Sequence, residues 1–155
     1  MKKAALFLII LGALAGLSYG RDGDLGLGII LGEPTGLSGK LWTGKTTAFD
    51  AGLAWSFVGG GFLQIHGDFL FHNFNLFEVE KGKMSLYYGF GARVRLADND
   101  AIDGDTVVSA RVPLGISYEF AKTSIELFIE VVPMLDLIPE SAVAIGGGAG
   151  FRYYF

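Results

Sequence analysis

The 155-residue sequence contains no cysteine. That excludes a disulfide framework, thiolate metal sites and anchorage through a lipid-modified cysteine. Histidine is nearly absent too: His66 and His72 are the whole supply. On one extended strand they lie about 20 Å apart, too far to share an ion. Beyond the first 20 residues no uncharged apolar run approaches 18, so no membrane-spanning helix is predicted. Charged residues are only 18% of the chain and the formal net charge is −4. What the chain has instead is hydrophobicity, at 51%, together with 24 glycines. High apolarity and many glycines without a helical span leave two candidates, a secreted all-β sandwich or a transmembrane β-barrel.

The N-terminus carries Lys2 and Lys3, then uncharged and mostly apolar residues from Ala4 to Leu17, then Ser18-Tyr19-Gly20. This pattern predicts a secretory signal peptide over 1–20, cleaved before Arg21. Residues 21–155 are then a single barrel domain, its charge moved from −4 to about −6 by loss of the two lysines.

The last stretch separates the two candidates. Val143, Ile145, Ala149, Phe151, Tyr153 and Phe155 fall on one face of an extended backbone, and Ala144, Gly146, Gly148, Gly150, Arg152 and Tyr154 on the other. A strand with aromatics on one side, and glycine plus arginine on the other, is inside out relative to a sheet packed on an apolar core. The same division recurs upstream: Leu27, Ile29 and Leu31 against glycines, Phe49 and Trp55 against Asp50 and Gly52, Phe69 and Phe71 against His66, Asp68 and His72. It continues with Tyr88 and Phe90 against Arg93 and Arg95, Leu114 and Tyr118 against Arg111 and Glu119, and Leu127 and Ile129 against Glu126 and Glu130. Eight such strands fit about 135 residues at the 9 to 11 residues a tilted spanning strand needs. Glu33-Pro34-Thr35-Gly36, Gly44-Lys45-Thr46 and Gly59-Gly60-Gly61 supply turns, and the acidic stretch Asp98 to Asp105 a loop. Alternation fails from Asn73 to Lys83, which predicts a bulge or a protruding hairpin. Pro113 and Pro133 predict a bulge near the outer rim.

The predicted fold is therefore an all-β, eight-stranded antiparallel up-and-down transmembrane barrel, closed so that no edge is left unpaired. The aromatic C-terminus, with Phe151, Tyr153 and Phe155 at alternate positions, resembles the terminal signal by which outer-membrane barrels are recognised for assembly. The mature chain resembles the OmpA/OmpX-type transmembrane barrels. The segment Gly32-Glu33-Pro34-Thr35-Gly36-Leu37-Ser38 resembles one that recurs in small outer-membrane barrel families. The resemblance implies an integral protein in the outer membrane of a Gram-negative envelope, monomeric, whose partners are outer-membrane lipids and the assembly machinery, with no nucleic acid. It departs from that pattern in its short outer connections, which argues against adhesion through long surface loops.

For chemistry, Gly39-Lys40-Leu41-Trp42-Thr43-Gly44-Lys45-Thr46 matches the phosphate-binding loop pattern, but that mechanism needs a helix after the loop. Here the residues that follow alternate with period two, and the match is read as coincidence. Ser56, Ser85, Ser109 and Ser117 share the inner face with both histidines, so a histidine-serine-acid set is conceivable, yet no catalytic, cofactor or metal site is predicted. The informative set is the inward charge cluster: Lys40, Arg93, Arg95, Arg111 and Arg152 against Asp50, Asp68, Glu119, Glu126 and Glu130. Inside a barrel just wide enough for its own side chains, these charges predict mutual pairing and a plugged, non-conducting lumen. Arg111 is expected to pair with Glu126 or Glu130. Three readings of function follow: a structural or surface-interaction protein without enzymatic activity, which is adopted, a barrel enzyme acting on lipid A or phospholipid, and a narrow conduit for small solutes.

Overall fold

Period-two alternation makes extended strands the arrangement that separates this chain's apolar side chains from its charged ones. The computed structural model describes residues 24–33, 35–56, 61–97 and 106–155. The expected leader over 1–20, the cleavage point at Arg21, most of the glycine turn near residue 60 and the acidic loop Asp98 to Asp105 lie outside the described residues. The strands are β1 (Leu25–Glu33), β2 (Thr35–Trp42), β3 (Thr47–Ser56), β4 (Phe62–Asn73), β5 (Lys83–Ala97), β6 (Val107–Arg111), β7 (Leu114–Glu119), β8 (Ile125–Ile138) and β9 (Ala142–Tyr154). Each pairs antiparallel with its neighbour, and β9 pairs with β1, so the sheet closes on itself.

β6 and β7 are two halves of one stave, both running between β5 and β8, so the ring has eight staves. The break falls at Val112-Pro113. Proline has no N–H to give, yet the register does not slip there, because Gly89 donates to the Pro113 carbonyl and Val112 to the Pro133 carbonyl, both at 3.0 Å. The irregularity expected near the outer rim is found there, where the β6–β8 register shifts between Val108 and Ser109. Residues 74–82 form a connection between β4 and β5, not a bulge within a strand. It lies at the end of the barrel that carries Asp24 and Phe155, here the proximal end. The connections of the opposite, distal end follow β1, β3, β5 and β8.

The pairing row that starts at Tyr154 runs through Gly26, Lys40, Asp50, Asp68, Gly91, Arg111 and Met134 and returns to β9 at Ala144. One circuit thus displaces the register by ten residues, which for eight strands means a tilt of about 40° and a narrow interior. Burial is inverted relative to a water-soluble fold. Lys40, Glu126 and Arg152 are at most 2% exposed, while Phe90 and Ile129 are each 61% exposed. The buried apolar residues include a small cluster of Ile30, Leu70, Tyr87 and Phe128.

Candidate functional site in the barrel lumen

Cross-strand register places opposite charges face to face. Lys40 on β2 opposes Asp50 on β3, and Glu126 on β8 opposes Arg152 on β9. The side chains then reach across the lumen. Lys40 Nζ lies 2.8 Å from Glu126 Oε2, Arg152 Nη1 donates to Glu126 Oε1 at 2.7 Å, and Arg152 Nη2 donates to Asp50. Arg152 Nε donates to Ser38 at 2.9 Å, and Tyr154 donates its hydroxyl to Glu126 at 3.1 Å. The guanidinium also sits 3.9 Å from the centre of the Phe128 ring. Charges this deep persist only when paired and hydrogen-bonded, and these are.

A second cluster lies further toward the distal end. Asp50 and Asp68 are direct cross-strand partners, a repulsive placement unless each carboxylate has its own cation. Arg152 serves Asp50, and Arg111 Nε lies 2.9 Å from Asp68 Oδ1 although not in hydrogen-bonding orientation. Arg111 Nη2 is 3.8 Å from Glu130, whose other oxygen accepts from Tyr87 at 2.9 Å. Arg111 therefore reaches Glu130 as one of its expected partners, but its nearer partner is Asp68, and Glu126 is taken by Lys40 and Arg152. His66 stands beside this cluster, its Nε2 3.7 Å from Asp50. It fits because Gly52 opposite has no Cβ, which would strike the imidazole.

A third pair, Arg93 with Asp136 at 2.7 Å, is bridged by Ser109, which accepts from Arg93 and donates to Asp136. Asp136 is an inward acid that the sequence reading left out. Its signal was available: the parity of Glu126, Phe128, Glu130 and Val132 continues through Met134 to Asp136. Arg95 pairs with no carboxylate among the described residues and lies 5.4 Å over the Phe62 ring. Glu119, at the proximal mouth, opposes Glu126 and keeps one buried oxygen without a hydrogen bond.

At the proximal end rings cluster beside an open recess of about 1170 Å³ lined by Trp42, His72, Phe74 and Glu119. Trp42 and His72 have centroids 4.5 Å apart, Phe74 stacks on His72 at 6.2 Å, and Lys40 Nζ lies 4.3 Å from the Trp42 centroid. The phosphate-loop match falls here on the end of β2 and the bend before β3, with no helix after it. Ser85 and Ser117 bond each other at 2.9 Å, and Ser109 is held by Arg93 and Asp136. Atoms of Asp50, His66 and Asp68 come within 4.8 Å of one another, but each carboxylate already faces an arginine, which opposes a cation. Phe151, Tyr153 and Phe155 point outward on β9, and the Phe155 amide donates to Leu25 at 3.0 Å, closing the seam with β1.

A closed eight-stranded antiparallel barrel with an ion-paired interior and an apolar exterior is the class of structure these observations define. The fold is similar to the N-terminal β-barrel domain of Pseudomonas aeruginosa OprF, with a TM-score of 0.65 and 12% identity over 84% of this chain and 95% of that one. No protein-family model matches the sequence, and no curated protein matches it.

Proposed function

We propose that the chain is an integral outer-membrane β-barrel, with residues 21–155 as the mature domain, serving a structural or surface-interaction role with a non-conducting lumen and no enzymatic activity. The observation that carries this reading is the inversion of burial: Lys40, Glu126 and Arg152 are sealed inside while Phe90, Ile129 and Phe155 face outward. In water such an exterior would aggregate; in a bilayer it is the required surface. The aromatics Phe49, Phe69, Phe71, Tyr88, Tyr118, Phe120, Tyr153 and Phe155, toward the proximal end, fit a headgroup-level belt. That end would face the periplasm, as the C-terminus does in barrels of this class. The likeness to the OprF barrel domain supports the architecture. The lumen reading rests on the two ion clusters and on the Trp42, His72 and Phe74 rings across its proximal end. Lipids of the outer membrane and its assembly machinery are the expected partners of the monomer, with Phe151, Tyr153 and Phe155 as the assembly signal.

Cell fractionation with an unboiled gel tests the reading. The protein should partition with the outer membrane and migrate differently before and after boiling, and in planar bilayers it should show no steady conductance. A soluble, heat-invariant protein would refute the barrel, and a sustained open channel would refute the plug.

A further inference from the structure

The distal half of the lumen is built differently from the proximal half. A cavity of about 210 Å³ lies there above Arg111 and Glu130, with Gln64, His66, Arg93 and Arg95 along one wall and Gly146 and Gly147 in the other. Register assembles the polar wall, since Gln64 opposes Arg95 and His66 opposes Arg93 across β4 and β5. The glycine wall has no side chains to fill the space.

We propose that this cavity is a binding cup for a small free solute bearing an oxyanion, phosphate or carboxylate. Three observations carry it. First, three guanidiniums line the cavity, of which Arg93 faces Asp136 and Arg111 faces Asp68 and Glu130. Second, the remaining one, Arg95, pairs with no carboxylate among the described residues. It is held over the Phe62 ring at 5.4 Å, so its orientation is set by an aromatic face and its N–H edge is left for an acceptor. Third, two buried polar atoms on residues that line the same cavity have no hydrogen-bond partner, His66 Nδ1 and Gln64 Oε1, on residues 8% and 4% exposed. Buried polar groups are normally satisfied, so two orphans beside one basic space mark a place for a polar occupant. His66 can donate to oxygen, and the Gln64 amide can donate or accept according to which way it is turned. The cavity is of a size for a phosphate or small carboxylic acid with a few waters. Its lining is mostly inward side chains and rises to the distal ends of β4, β5 and β8, which selects a dissolved solute over a lipid headgroup. That the solute comes from outside the cell rests on the membrane orientation proposed above; the binding itself does not.

The experiment is calorimetric titration of the purified barrel in detergent with inorganic phosphate and, separately, with succinate, at fixed chloride. Wild type should bind at least one of them at a single site. Arg95→Gln should weaken that binding ten-fold or more, while Lys45→Gln at the proximal end should leave it unchanged. Binding of neither anion, or equal affinity in Arg95→Gln, overturns the cup, showing a cavity that holds water only. Each sample is first run unboiled. A folded band without anion binding rejects the cup alone, whereas a chain that gives no folded band rejects the barrel and the cup with it. Because the chain has no cysteine, Arg95→Cys on whole cells reports the side. Labelling by an impermeant maleimide supports access from outside, and labelling only after lysis overturns it.

Discussion

Replacing Arg152 with alanine tests whether the proximal ion cluster holds the barrel together. The guanidinium is 2% exposed and serves Asp50, Glu126 and Ser38 at once. After its removal Glu126 keeps Lys40 at 2.8 Å, but Asp50 keeps only His66 at 3.7 Å. The damage therefore falls mainly on Asp50, a carboxylate left buried without an adequate partner. Breaking a buried pair from one side costs about 3 to 5 kcal/mol, so Arg152→Ala should lose about 4 kcal/mol, near a thousand-fold in the folding equilibrium. Part of that loss is the stacking of the guanidinium on Phe128 at 3.9 Å, which Asp50 does not share. Adding Asp50→Asn removes the stranded charge, so the double variant should regain about 2 kcal/mol relative to Arg152→Ala alone. Urea unfolding in detergent, followed by the fluorescence of Trp42 and Trp55, measures all four members of the cycle. A loss under about 1 kcal/mol for Arg152→Ala, or losses that simply add in the double variant, would refute the coupling.

Two further predictions concern closure. A Cβ at Gly28 would run into the backbone of Phe151 and Arg152 across the β1–β9 seam, whereas at Gly39 its nearest neighbour would be Leu27 Cδ2 at 3.4 Å. Gly28→Ala should lower stability by about 1 to 3 kcal/mol and Gly39→Ala by less than about 0.5 kcal/mol, compared on the same urea curves; equal effects would contradict the close approach. Deleting Phe155 removes the amide that donates to Leu25 and the last outward aromatic. The yield of folded band from cells should drop several-fold, more than for Glu80→Ala in the exposed proximal connection, and wild-type yield would refute an assembly role.

Alternation made most of the architecture legible, because inward and outward residues separate cleanly along β3, β4, β5 and β9. The boundary of β8 was harder. Asp136 falls where the alternation places the end of that strand, yet the strand runs on to Ile138, and so Asp136 went unread. Pairing across the lumen was not legible at all. Lys40 and Glu126 stand 86 residues apart, and whether they meet depends on the accumulated register of every intervening hairpin. The same holds for Arg111, whose nearer partner is Asp68 on β4 because Gly91 of β5 opposes both residues. Chemistry told which side chains need partners; only the displacement around the ring tells which ones they get.

That displacement gives the interior the geometry of a screw thread. Lys40, Asp50, Asp68 and Arg111 are successive points on one rising line, so complementary charges meet both along the thread and across it. One residue inserted within β3 would turn every later side chain of that strand through the wall, and two would alter the lead of the thread for the whole circuit. A residue added to the 74–82 connection lies off the thread and changes neither. Length can therefore drift at the barrel's ends while the strands keep count, and identity can fall far so long as parity and charge complementarity survive.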